Sequence, residues 1–180
     1  MAEIEGFGEK IRKAVFLLMY RRGRMPGAKE WELKATLGKE YVKVLDRLNQ
    51  ILSELGLEVY KLPVGEGDIR YLIRAKDTMT RSQAKLCGWR IDNLAALAAA
   101  IADIVSKQGR SNRRDLEDLI SRKIGRWRSL SLIDGFIKSG YLEEGEDGMI
   151  SLGWRTLVEV DLKDLMTLIL GASQDTRTTV

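Results

Sequence analysis

The residues best able to do chemistry in this chain are eight basic side chains within positions 107–128. Only three acidic residues lie among them, so this segment carries +5 in a chain whose net charge is +4. Arginine, lysine and helix N-termini are the groups with which proteins contact phosphates. The segment therefore predicts a polyanion-binding site formed by Lys107, Arg110, Arg113, Arg114, Arg122, Lys123, Arg126 and Arg128. An alternative stays open, in which these residues form a solvated helix face with i, i+4 pairs such as Asp118–Arg122.

Several other kinds of chemistry are excluded by the composition. The sequence contains no histidine and a single cysteine, Cys87. A structural zinc site needs about four Cys or His ligands, and the Ser-His-Asp and Cys-His arrangements need a histidine. The glycines of 6–8 and 65–67 lack the context of a phosphate-binding loop. We therefore predict a protein that is not an enzyme and has no cofactor, metal or small-molecule substrate, with Cys87 as a small buried apolar residue.

The first half of the chain predicts three helices followed by a β-hairpin. Apolar residues at helical spacing predict a first helix after Gly8, a short second helix over 29–37 and a third helix over 40–55. Alternating and β-branched residues predict strands over 58–62 and 69–73. The residues expected to face the core are Ile11, Val15, Leu18 and Met19 in the first helix, and Tyr41, Val44, Leu45, Leu48, Ile51, Leu52 and Leu55 in the third. This order is typical of the winged-helix variant of helix-turn-helix.

The second half repeats the same order of elements. A first helix begins near Ile91, a second is capped by Ser111 or Asn112, and a third follows Gly125 with Trp127 on its apolar face. A shorter hairpin and a last helix follow. We predict a mainly α fold with small β-hairpins (α+β) made of two tandem winged-helix domains, with these bounds: first domain 8–75, linker 76–90, second domain 91–171 and disordered tail 172–180.

The two predicted domains differ in charge and in apolar surface. The basic segment covers the second helix and the start of the third in the second domain, the part of a winged helix that approaches DNA. The third helix of the first domain is net negative, which favours protein contact. The first and last helices carry more apolar residues than one buried face needs, which predicts a partner interface or homodimer at Phe16, Leu17, Tyr20, Leu165, Met166 and Ile169. Alternatively, these two helices cover each other within one monomer.

Short motifs in both halves resemble the kleisin-interacting tandem winged-helix (KITE) proteins, and among them the MAGE-type and RING-bearing non-SMC elements of SMC complexes. In that family the third helix ends in a Leu-Gly-Leu-Glu motif, which residues 55–58 match, and the returning strand carries a tyrosine, here Tyr71. The second wing leads into a Leu-Gly-Pro-Arg-x-Leu-x-Glu motif, which residues 152–159 match except for Trp154 at the proline. The chain lacks the zinc ligands of a RING, so ubiquitin-ligase activity is not implied.

The resemblance implies dimerisation through the first domain, a kleisin-like or SMC-associated protein partner, and weak DNA contact without sequence preference. A DNA-binding transcriptional regulator with tandem winged helices is the alternative, and a winged-helix scaffold of another machine is a third possibility. The N-terminus lacks the pattern of a signal peptide, and the chain has no apolar run of about 18 residues. We therefore predict a cytoplasmic location, associated with the nucleoid in a prokaryotic cell, and no membrane contact.

Overall fold

The computed structural model describes residues 2–22, 25–64 and 67–167 and divides the chain into two compact units, Met1–Asp77 and Thr78–Val180. We call these unit 1 and unit 2. Each unit contains three principal helices and a small three-stranded antiparallel sheet, in the element order of a winged helix. The predicted fold class is therefore confirmed. The predicted tail 172–180 and the end of the predicted last helix lie outside the described residues.

Unit 1 consists of α1 (Ala2–Met19), β1 (Arg21–Arg22), β2 (Met25–Pro26), β3 (Ala28–Lys29), α2 (Glu30–Leu37), α3 (Tyr41–Ser53), β4 (Leu57–Pro63) and β5 (Ile69–Ala75). The hairpin β4–β5 is the predicted wing, and β3 joins its other edge, so the strand order is β3-β5-β4. In this sheet Tyr71 lies opposite both Ala28 and Lys61. The sequence predicted no strand before α2, because a strand of two residues has no period to detect.

The core of unit 1 follows the helical spacing of α3, whose Val44, Leu45, Leu48 and Leu52 are buried against α1 and the sheet. Three residues that we placed on the core side are exposed instead: Met19, Ile51 and Leu55. Met19 is the last residue of α1, and Leu55 follows the end of α3 at Ser53, so neither has a full helical turn beyond it to bury it. In each of the two helices the predicted core face therefore extended too far at the C-terminal end, whereas Ile51 lies within α3 at the edge of its buried face.

Gly27 allows the chain to enter β3. Its φ of +85° lies in the left-handed region, and a Cβ there would lie 2.2 Å from the carbonyl oxygen of Tyr71. Only glycine can bring its backbone this close to β5. Arg70 fixes the same junction, because its guanidinium donates a hydrogen bond of 2.9 Å to the Gly27 carbonyl.

Unit 2 consists of α4 (Arg81–Leu86), α5 (Ile91–Ser106), β6 (Arg110–Asn112), α6 (Arg113–Ile124), α7 (Arg126–Ser139), β7 (Leu142–Glu144), β8 (Met149–Leu152) and α8 (Trp154–Glu159), and residues 162–167 are helical. The strand order is β6-β8-β7. The short helix α4, capped by the Thr80 hydroxyl, lies within the segment predicted as the linker. Cys87 follows it and is exposed, so its predicted burial is wrong.

The core of unit 2 is formed mainly by Leu97, Ile101, Ile104, Leu116 and Ile133, with further buried residues from α7, β7 and β8. Two residues that we placed on core faces are exposed. Ile91 is the first residue of α5, and Trp127 lies in the first turn of α7 with its side chain 88% exposed. The exposure of Trp127 matters most for the functional site.

The motif at 152–159 packs a backbone turn against the end of α7. The amide of Gly153 donates to the Tyr141 carbonyl at 2.8 Å, and the amide of Arg155 donates to the Gly140 carbonyl at 3.0 Å. A Cβ at Gly153 would lie 2.2 Å from the Gly140 oxygen, so the glycine of this motif is required by the close approach. The indole of Trp154, which replaces the proline of the resembled motif, packs on Gly140.

Candidate functional site

The basic segment of unit 2 spans four consecutive elements of the winged helix. Lys107 follows α5, Arg110 lies in β6, four residues lie in α6, and Arg126 and Arg128 lie in the first turn of α7. Asn112 places the N-terminus of α6, because its side chain accepts a hydrogen bond of 2.9 Å from the Arg114 amide, as an N-cap does. The sequence predicted this cap at Ser111 or Asn112. Ser111 is instead buried and donates to a carboxylate oxygen of Asp103 at 2.6 Å.

Arg113 is the centre of an ion-pair cluster that joins three elements. Its guanidinium pairs with Glu117 of α6 at 3.0 Å, with Glu144 of β7 at 3.1 Å, and with Asp134 of α7. These carboxylates, Asp134 foremost, raise the pKa of Arg113 above its usual value against the opposing effect of burial. The side chain is only 28% exposed. The charge of Arg113 therefore holds α6, α7 and the wing together.

Two further predicted residues are also paired with carboxylates. Lys107 lies 2.9 Å from Asp115 and 3.1 Å from Asp103, and these contacts, that with Asp115 first, raise its pKa. Arg110 pairs with Asp147 in the turn of the wing at 3.2 Å. Lys107 and Arg110 are both more exposed than Arg113. Their ion pairs are therefore weaker than those of the cluster at Arg113.

Arg128 connects the start of α7 to the start of α5 through Asp92. Asp92 also pairs with Arg90 at 3.2 Å, and its side chain accepts from both guanidinium groups. The hydrogen bond from Arg90 is the largest effect and, with that from Arg128, lowers the pKa of Asp92 to about 2 against the effect of burial. Arg128 therefore has a structural partner, although part of its side chain faces solvent.

The other four residues, Arg114, Arg122, Lys123 and Arg126, are exposed and pair with no carboxylate among the described residues. We call them the free cations. Arg114 and Arg126 line one open depression of about 350 Å³ together with Glu117 and Asp118. The pair Asp118–Arg122, the example given for the alternative interpretation, is not formed, whereas the i, i+4 pair Arg113–Glu117 is. The structure thus separates the eight predicted residues into four that pair with carboxylates and four that are unpaired among the described residues.

The N-terminus of α7 adjoins the free cations and carries no acidic residue in its first turn. The first hydrogen bond within the helix runs from the Ser129 amide to the Gly125 carbonyl. The amides of residues 126–128 therefore have no carbonyl partner within the helix. Trp127 projects from this turn and lines a shallow depression of about 460 Å³ along α7, with Leu130 and Lys138. A cationic and aromatic helix start is suited to contacting a nucleic acid.

The predicted partner interface is exposed in unit 1 only in part. Phe16 and Tyr20 are 59% and 65% exposed, and their rings stack at 5.6 Å. Leu17 packs against the unit 1 core, whereas Met19, which we had placed in the core, is exposed beside them. We call Phe16, Met19 and Tyr20 the α1 patch.

In unit 2 the predicted interface residues are divided. Leu165 packs against the core of its own unit, and Met166 is half-buried. Ile169 lies outside the described residues. Of the predicted interface residues that the structure describes, the two that are exposed, Phe16 and Tyr20, both belong to the α1 patch.

The described part of the chain contains no group of three side chains that could hold a metal ion. It also contains no helix both long and apolar enough to cross a membrane. The two tyrosines with strongly shifted pKa values, Tyr41 and Tyr141, are both buried and hydrogen-bonded to a carboxylate. Burial first, and then Glu159, raise the pKa of Tyr141, which is the pattern of a structural hydrogen bond.

Comparison with known proteins gives one informative likeness. No family model matches the chain, and no curated protein matches its sequence. Among solved structures, a chain of the Nse1-Nse3-Nse4 complex is similar with a TM-score of 0.56 and 14% identity, over 95% of this chain and 90% of that one. At this identity the likeness concerns the fold. It covers both winged-helix units in a single alignment.

Proposed function

We propose that this chain is a non-enzymatic subunit that binds a kleisin-like or SMC-associated protein partner and contacts DNA through unit 2 without sequence preference. The observation that carries the DNA contact is the set of free cations beside the start of α7. The fold likeness to a chain of the Nse1-Nse3-Nse4 complex and the motifs at 55–58 and 152–159 support the kind of complex.

The free cations favour contact with phosphates because none of them forms an ion pair with a carboxylate in the described part of the protein. They lie on α6 and on the first residue of α7, which in a winged helix are the second helix and the start of the recognition helix. The paired residues of the same segment hold these helices in place. We therefore assign DNA contact to Arg114, Arg122, Lys123 and Arg126, and a positioning role to Arg113 and Arg128.

The contact can be tested by measuring duplex affinity as a function of salt concentration. Each phosphate neutralised contributes about 0.9 to the slope of log K against log salt. Replacing the four free cations by alanine should reduce the slope by roughly 3 to 4 and abolish measurable binding near physiological salt. The matched control replaces the four exposed lysines Lys39, Lys43, Lys61 and Lys76 of unit 1, which lowers the net charge equally and should leave the slope nearly unchanged.

The outcomes separate the proposal from its competitors. Equal loss in both fourfold variants would mean that only net charge matters, and the proposed surface would be wrong. A preference of ~10³-fold or more for one duplex over random DNA would identify a sequence-specific regulator instead. An unchanged affinity in the free-cation variant would eliminate DNA contact through this surface.

The protein partner is assigned to the α1 patch of unit 1. Aromatic and methionine side chains are enriched at interface centres, and a stacked pair of exposed rings on one helix offers a rigid anchor. We expect a reconstituted complex with the kleisin-like chain of the same organism to lose affinity in the variant Phe16→Ala/Tyr20→Ala. Light scattering of the isolated chain distinguishes this complex from a homodimer. An unaffected complex would place the partner elsewhere.

A further inference from the structure

Trp127 is the one large aromatic side chain of the described residues that stands almost fully in solvent. It is 88% exposed, whereas Trp31, the next most exposed tryptophan, is 63% exposed. A tryptophan buries more apolar area than almost any other residue when it packs, so leaving it in water forgoes a large hydrophobic gain. Its exposure therefore needs a reason other than stability.

The surroundings of Trp127 identify the class of ligand. It follows the free cation Arg126 directly, and Arg126 and the free cation Arg114 line one depression, which Glu117 and Asp118 also line. Glu117 pairs with Arg113, as does Asp134, the acidic residue of the depression that Trp127 lines. The amide groups of the first turn of α7 precede the helical ladder, and no acidic residue lies in this turn. A ligand that fits must combine negative charge with a flat π-face, which is the chemistry of a nucleotide with an unpaired base.

We propose that Trp127 stacks on an unpaired base while Arg114 and Arg126 bind the neighbouring phosphates, so that unit 2 engages single-stranded DNA by a contact that duplex DNA does not use. In a duplex the faces of the bases are already covered by their neighbours, so this stacking is available only where bases are exposed. The inference rests on the proposed DNA contact, and it adds a preference for the form of the DNA.

The experiment compares the full chain and its variants on oligo(dT) of about 30 nucleotides and on a random duplex of the same length. Trp127→Ala should lower the affinity for oligo(dT) about tenfold or more and the duplex affinity by less than about twofold. Trp127→Phe should retain most of the affinity for oligo(dT), because a ring can still stack. Trp31→Ala, which removes an exposed tryptophan from unit 1, is the matched control and should change neither affinity.

A spectroscopic readout gives an independent measure of the contact. In the variant Trp31→Phe, Trp127 is the most exposed tryptophan left, and stacking should quench and shift its emission when oligo(dT) is added. Duplex DNA should quench it much less. Because Trp127 is exposed, Trp127→Ala should melt like the natural chain, so a loss of binding would not reflect unfolding.

Failure of this inference is distinguishable from failure of the proposed function. If the free-cation variant loses duplex binding but Trp127→Ala changes both affinities equally or not at all, stacking is wrong and the phosphate contact stands. If neither DNA binds with the salt dependence described above, the proposed function is wrong and the inference falls with it. An unchanged oligo(dT) affinity combined with loss of a protein complex in Trp127→Ala would assign Trp127 to a protein interface and overturn the inference.

Discussion

Arg113 and Arg114 are neighbours in the sequence, yet their side chains have opposite surroundings in the structure. The Arg113 guanidinium pairs with Glu117, Asp134 and Glu144 and is 28% exposed, whereas Arg114 is exposed without a carboxylate partner among the described residues. We predict that Arg113→Ala destabilises unit 2 and weakens DNA affinity less than Arg114→Ala does. Arg114→Ala should change stability little.

The magnitude follows from the number of pairs and from their partial burial. An exposed ion pair contributes up to about 1 kcal/mol, and removing one partner of a fully buried pair costs about 3 to 5 kcal/mol. Arg113 lies between these limits, and its loss leaves three carboxylates close together with no cation among them. We expect a loss of about 2 kcal/mol in the free energy of unfolding. For a domain of this size, that corresponds to a fall in melting temperature of about 10 °C.

Urea denaturation of both variants, followed by circular dichroism, measures the stability difference, and fluorescence anisotropy with a random duplex measures the affinity. Arg114→Ala should change stability by less than about 0.5 kcal/mol, as surface substitutions do. If Arg113→Ala costs less than that, or if it weakens DNA binding as much as Arg114→Ala does, the assignment of Arg113 to structure and Arg114 to DNA is refuted.

Three further predictions concern stability. The pKa of Asp92 is lowered to about 2, so the stability that this carboxylate contributes is complete above pH ~4, its pKa in the unfolded chain, and is lost as the pH falls towards 2. The difference in the free energy of unfolding between the natural chain and Asp92→Asn should therefore close over this window in acid titrations followed by circular dichroism. Tyr141→Phe removes the hydroxyl that donates to Glu159 at 2.6 Å, which should cost about 1 to 2 kcal/mol in urea denaturation, and a cost near zero would mean that Glu159 is satisfied by water. Gly27→Ala should destabilise unit 1 by more than about 2 kcal/mol, because its Cβ would overlap the backbone of β5. The control Gly38→Ala has a similar φ but open space around the added Cβ, so it should cost about 1 kcal/mol. Equal losses of stability in the two variants would contradict the steric argument.

Much of the fold could be predicted because it depends on local periodicity. The spacing of Val44, Leu48 and Leu52 predicted α3 and its buried face, although α3 ends at Ser53 and not at the predicted residue 55. The strands β3 and β6 could not be predicted, because two or three residues carry no detectable alternation. They become strands only when the returning strand of each wing pairs with them, which is a long-range effect.

The sequence predicted which segment carries the candidate site, but not which of its basic residues form ion pairs. Glu117 lies four positions from Arg113, but the other carboxylates that engage Arg110, Arg113 and Arg128 lie 21 to 37 positions away in the chain, so no local pattern connects them. Trp127 could have been recognised. At about 100° per residue, Phe136 lies half a turn from Trp127, so a stripe containing both is wider than one buried face. Phe136 is buried, and Trp127 therefore points away from the core.

The corresponding position in unit 1 supports different roles for the two units. The third helix of unit 1 begins at Tyr41, whose ring is buried and whose hydroxyl donates to Glu30 at 2.5 Å, and the preceding Glu40 pairs with Lys43 at 2.7 Å. That helix start is closed by its own side chains and carries a carboxylate where a phosphate would bind. Since the same element order presents a free arginine and an exposed tryptophan in unit 2, the fold alone does not make a nucleic-acid surface. Under the proposed function the side chains at the start of the third helix make it, and of the two helix starts that the structure describes, that of unit 2 carries them.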